Sequence, residues 1–62
     1  MEKYIRNWND LTDGQQEMAI SNYAAVRSAE EETECSVERA RENAPFCRGY
    51  FLKNDGSVEV DI

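Results

Sequence analysis

Apolar and polar positions follow two different periods along this chain. Between about Asp13 and Glu30, Ala19, Ile20, Tyr23 and Val26, joined by Ala24, recur at three- and four-residue steps. That spacing is the stripe of an amphipathic helix, and the intervening residues are good helix formers. Thr12 is followed three residues later by Gln15, the capping-box arrangement in which each side chain satisfies the other's free backbone donor, and Asp13 is a competing cap one position on. Upstream, Tyr4, Ile5, Trp8 and Leu11 fall at the same steps and predict a short N-terminal turn of helix or a packed arm.

From Glu30 to Asn43 the pattern allows either a continuation of the first helix or a break near Thr33, Glu34, Cys35 and Ser36, with Ser36 capping a second, shorter helix. Thr, Cys and Ser are mediocre helix formers, which favours the break. Val37, Ala40 and Ala44 would then be the buried stripe, and Pro45 ends the helix because the residue before a proline is pushed out of the helical region.

Beyond Pro45 the period changes to two. Phe46 to Lys53 and Ser57 to Ile62 are rich in aromatic and β-branched residues and flank Asn54, Asp55 and Gly56. A three-residue loop with Gly56 in the left-handed region sets Lys53 opposite Ser57, Leu52 opposite Val58 and Tyr50 opposite Val60. Tyr50, Leu52, Val58, Val60 and Ile62 then share one face, whereas a two-residue loop would split the aromatic and aliphatic positions between faces. The fold class expected is α+β, one long and one short helix followed by a C-terminal antiparallel β-hairpin, in a single domain over 1–62.

A chain of 62 residues buries only about 60% of the surface its unfolded form exposes, so some reinforcement is expected. With no histidine and only Cys35 and Cys47, one chain cannot supply the four ligands of a structural zinc site. No metal and no cofactor are expected. Met1 to Asn7 lacks the apolar stretch of a signal peptide, which points to the cytoplasm and to reduced, structural thiols rather than a disulfide. No stretch approaches the about 18 apolar residues of a membrane span. Self-association is the remaining reinforcement, and a homodimer is the expectation. The hairpin edges, which carry no proline or bulge residue, are the candidate pairing surface, and a cover of helices and arms is the competing possibility.

The net charge of −6 argues against direct contact with nucleic acid, whose affinity comes from Lys and Arg displacing counterions. It favours a basic partner surface, and it equally serves plain solubility. Glu30, Glu34, Glu38 and Glu42 recur every four residues, so on an unbroken helix they would form one stripe about 18 Å long. Adjacent like charges cost a helix a few tenths of a kcal/mol, which makes this column a candidate contact for a partner protein with a basic or nucleic-acid-binding surface; a break near Thr33 would destroy it. Trp8, in the weakly patterned arm, and Phe51, on the hairpin face away from the core, are candidate exposed anchors.

Catalysis is not expected. Without histidine there is no usual general base and no Ser-His or Cys-His pair, and the carboxylates lie in polar stretches where nothing raises their pKa. Arg48-Gly49-Tyr50-Phe51 matches the opening of the RNA-recognition-motif signature, but Leu52-Lys53-Asn54-Asp55 does not continue it.

The capped helix, glutamate-rich segment, terminal hairpin and acidic balance together resemble the small acidic proteins that phages carry against bacterial defences: anti-CRISPR proteins, DNA mimics that block restriction enzymes, and the Hachiman anti-defence proteins. The resemblance covers the whole chain in size, charge and layout and contains no signature motif, so no family residue maps onto a position here. It implies a dimeric, non-catalytic, stoichiometric inhibitor of a host defence protein in the bacterial cytoplasm. The alternative class is an antitoxin-like chain or a regulatory subunit that binds a basic host protein.

Overall fold

The computed structural model describes residues 2–31 and 36–62. Its elements in chain order are β1 (Lys3–Ile5), α1 (Asp13–Glu31), α2 (Val37–Asn43), β2 (Gly49–Leu52) and β3 (Val58–Asp61), with 3-10 turns at Trp8–Asp10 and Ala44–Phe46. The α+β class holds, but the strands are not all C-terminal. A three-stranded antiparallel sheet in the order β1-β2-β3 replaces the two-stranded hairpin.

The hairpin register is the one its apolar face demands. Leu52 pairs with Val58 and Tyr50 with Val60, Lys53 N–H donates to the Ser57 carbonyl across the loop, and Gly56 takes φ +90°, where a side chain would be strained. Asp55 holds the loop by accepting from both the backbone N–H and the hydroxyl of Ser57.

Of the turn of helix or packed arm expected at the N terminus, the structure shows a packed arm that opens with strand β1 and carries a 3-10 turn at Trp8–Asp10. Lys3, Tyr4 and Ile5 pair with Leu52, Phe51 and Tyr50, so Ile5 turns toward the core and Tyr4 toward the open face of the sheet. This strand occupies the outer edge of β2. On the other margin, the Asn22 side chain of α1 accepts the Val60 N–H at 2.8 Å, which satisfies an edge donor that would otherwise face water. Of the two possibilities for the ribbon's margins, open pairing edges or a cover of helix and arm, the structure shows the cover.

The capping box forms as its residues require: Thr12 N–H donates to Gln15 Oε1 at 2.9 Å, and Gln15 N–H to Thr12 Oγ1 at 3.2 Å. Ser36 caps α2 by accepting from Arg39 N–H, and its own backbone is extended (φ −69°, ψ 154°), so the helical path is interrupted there. Thr33, Glu34 and Cys35 lie outside the described residues. α2 folds back on α1, where Arg41 pairs with Glu17 at 2.9 Å. That guanidinium holds the Glu17 carboxyl below its usual range.

Two groups of buried side chains make the core. Ile20, Tyr23, Ala40 and Ala44 join the helices, while Leu11, Ala19, Tyr50 and Val58 join α1 to the sheet. Trp8, Cys47 and Val60 touch both groups and weld them together. Alanine at positions 40 and 44, both fully buried, lets α2 approach α1 closely. Val37 was expected in that stripe and is instead 59% exposed, because it sits in the first turn of α2, outside the contact that the alanines make.

Candidate functional site

The sequence-predicted positions do not converge. Glu30 lies in the last turn of α1 and pairs with Arg27 at 3.3 Å; Glu38 and Glu42 lie exposed on α2; Glu34 falls outside the described residues. Since Ser36 leaves the helical path, the four glutamates do not share one helix, and the continuous acidic stripe is not formed. Among the described residues, Glu38 and Glu42 keep the i,i+4 relation within α2.

Trp8 is a correction of a different kind. Its ring lies 5.5 Å from that of Tyr50 and packs against both core groups, so it is a half-buried structural residue and no free anchor. The arm wraps onto the core because the 3-10 turn Trp8–Asp10 directs the indole inward, and the Trp8 carbonyl accepts from Gln16 Nε2.

Phe51 lies, as its alternation requires, on the sheet face opposite the helices. There its ring meets Tyr4 at 4.9 Å and Lys53 Nζ at 5.5 Å. The Tyr4 hydroxyl donates to Asp61 at 2.8 Å, which pushes the Tyr4 phenol up because the hydrogen bond favours its protonated form. Lys53 is tied to Glu59 at 3.0 Å. Tyr4 and Phe51 stay exposed, at 39% each, as expected for Phe51, and Gly49 beneath Tyr4 has no room for a side chain: a Cβ there would collide with the phenol ring.

The pronounced surface feature lies elsewhere. Phe46 is 85% exposed, far beyond any other large apolar side chain among the described residues. It stands at the mouth of a cleft of about 310 Å³ formed with Tyr23 and Arg27 of α1, Asn43 of α2, Cys47, Arg48 and Ile62.

Local chemistry explains why a phenylalanine ends up in water. Pro45 fixes its own φ and brings no N–H, so the chain leaves α2 through the tight Ala44–Phe46 turn instead of entering the strand at Phe46. The Tyr50 hydroxyl donates to the Ala44 carbonyl from inside the core, and Cys47 N–H donates to the same oxygen at 3.3 Å. The turn is thereby fixed from below while Phe46 is held outside. Ile62, placed by the strand pattern on the core face, lies beyond β3, is 41% exposed, and lines the cleft instead.

The cleft offers little to chemistry. Burial pushes the Cys47 thiol up, which lowers its thiolate fraction at neutral pH. Arg27 is committed to Tyr23 Oη and Glu30. Among the described residues no His, Cys, Asp or Glu side chains group as a metal site, and no helix is long and apolar enough to cross a membrane. A concavity of this volume sits at the low end of ligand pockets and suits one large side chain.

Nothing in the sequence pattern marked Phe46 as exposed, because an aromatic at the head of a β-rich run reads as a strand residue. The available signal was Pro45, which separates it from both the helix and the strand. No protein-family model, curated protein or solved structure matches this chain.

Proposed function

We propose that this chain is a non-catalytic protein-interaction module that docks its partner at the Phe46 cleft. The observation that carries the reading is that the most exposed apolar ring, at 85%, and the cleft of about 310 Å³ occupy the same place. Covering a phenylalanine ring yields about 1.5–3 kcal/mol. Rigid aromatic anchors beside a pocket are where interfaces concentrate their affinity. The turn that carries Phe46 is held by a proline and by a core hydrogen bond, so little conformational freedom is lost when a partner covers it.

The resemblance to small acidic phage anti-defence proteins supplies the class of partner: a bacterial defence protein, inhibited one to one in the cytoplasm. Size and the net charge of −6 support it, and the exposed carboxylates Glu38 and Glu42 would help steer a basic host surface toward the module. Pairing of two copies through strand edges is not required by this reading, since β1 and Asn22 occupy those margins.

The test is quantitative affinity capture from bacterial lysate with three baits: the natural chain, Phe46→Asp, and the double variant Glu38→Gln/Glu42→Gln. A partner recovered in stoichiometric amount with the natural chain is expected to be lost with Phe46→Asp and only weakened with the glutamine pair. Retention by Phe46→Asp at full occupancy overturns the assignment of the cleft.

A further inference from the structure

The cleft has the opposite sign from the protein around it. The whole chain carries −6, yet the charged side chains that line the cleft are Arg27 and Arg48, with no Asp or Glu among the lining residues. Two carboxylates come near without entering. Glu30 is engaged by Arg27, and Asp61 is turned to the open face of the sheet, where it receives the Tyr4 hydroxyl. Arg48 differs from the other cations at hand. Lys53 is paired with Glu59 and Arg41 with Glu17, whereas Arg48 is exposed and is anchored through its backbone, where its N–H donates to the Asp61 carbonyl. An arginine that lines a cleft together with an exposed aromatic ring is a complementary feature in an otherwise acidic chain.

Resting on the reading of the cleft as the contact surface, we infer that it takes a partner segment in which a large apolar side chain stands next to a carboxylate. The apolar group lies against Phe46, Tyr23 and Ile62, and the carboxylate meets Arg48. A partner with a basic overall surface is steered by the outer glutamates, while its seated residue is acidic-flanked. Association and seating therefore depend on charges of opposite sign.

Cys47 lines the cleft and makes the inference measurable without a known partner. In a Cys35→Ser background the Cys47 thiolate attacks the disulfide of 4-(mercaptomethyl)benzoate or of 4-(mercaptomethyl)benzylamine, forming the mixed disulfide and releasing one thiol. The two adducts, competing under a redox buffer, are counted by intact mass. The field of the whole chain favours the ammonium probe; the local guanidinium favours the carboxylate. The carboxylate adduct is expected to dominate by about fivefold at low salt, in the range of a partly exposed ion pair, with the preference removed by 0.5 M salt (about a threefold shorter screening length than at 0.05 M) and by Arg48→Gln. Equal labelling, or a preference for the ammonium, overturns the inference.

Should the Cys35 variant not fold, the unaltered chain is titrated with N-acetyl-Phe-Glu amide and N-acetyl-Phe-Lys amide while backbone amide shifts of Phe46, Cys47 and Arg48 are followed. Tighter binding of the Glu peptide supports the inference, and equal or reversed affinity overturns it. If the charge preference fails while Phe46→Asp still abolishes partner capture, the cleft stays the contact and only the acidic seat is lost.

Discussion

Replacing Tyr50 by phenylalanine removes a single oxygen, yet that oxygen links the core to the cleft. Tyr50 is fully buried, and its hydroxyl donates to the carbonyl of Ala44, which is also fully buried. A buried acceptor that loses its partner costs about 1–3 kcal/mol. The Cys47 N–H, at 3.3 Å from the same carbonyl, stays to satisfy part of it, so the expected loss is near the lower end, about 1 kcal/mol. For a domain of this size that corresponds to a drop in Tm of about 4–8 °C.

The same substitution has a pH signature of definite sign. Burial pushes the Tyr50 phenol up to about 12, against about 10 in an unfolded chain. The raised value means that the folded state holds the proton more tightly. The associated stability is complete below pH about 10 and is lost as pH climbs toward 12, by up to about 3 kcal/mol. Midway between the two values the loss is comparable to the neutral-pH advantage of the hydroxyl, so the natural chain and the Tyr50→Phe variant should cross in stability near pH 11. Tyr4, Lys53 and the other alkaline groups are common to both proteins and cancel in the difference. Urea unfolding of the pair from pH 7 to 11 is the assay. A Tyr50→Phe chain as stable as the parent at pH 7, or a difference that does not change with pH, refutes the assigned role of the hydroxyl.

Three further outcomes follow from local geometry. Thr12→Ala removes one half of the capping box and should cost about 1 kcal/mol in urea unfolding; no loss would mean that the box contributes nothing to α1. Gly49→Ala drives a Cβ into the Tyr4 ring and forfeits the Tyr4–Phe51 contact, at about 1 kcal/mol. In a Tyr4→Ala background that penalty should vanish, so a double-mutant cycle with no coupling would contradict the close approach. Gly56→Ala forces a side chain into φ +90° and should cost about 1 kcal/mol or more, read as a lower Tm; an unchanged Tm would contradict the left-handed loop.

Much of the fold was legible because its signals are local and chemical. The capping residues Thr12, Gln15 and Ser36 bond as their side-chain chemistry requires. The hairpin register followed from which face each apolar residue must occupy, and Gly56 from the turn. β1 was not legible because three residues are too few to separate period two from the three-residue step that links Ile5 to Trp8, and strand pairing is a long-range event that local pattern does not encode. The acidic column failed for a related reason: periodicity assumes an unbroken helix, and Ser36 ends that assumption. Phe51 was placed on the correct face from alternation alone, whereas Trp8 needed the tertiary contact with Tyr50 to reveal it as core. The cleft was out of reach altogether, since Tyr23, Asn43, Phe46 and Ile62 meet only when α2 folds back and β3 returns beside α1.

Whether this chain meets its partner at Phe46 and its cleft is tested most directly by titrating the captured partner into isotope-labelled chain and following backbone amide shifts. The largest changes are expected at Asn43, Phe46, Cys47, Arg48 and Ile62, with affinity at least about tenfold weaker for Phe46→Asp, the equivalent of roughly 1.4 kcal/mol. Changes centred instead on Tyr4 and Phe51, or on Glu38 and Glu42, with Phe46→Asp binding as tightly as the natural chain, would contradict it.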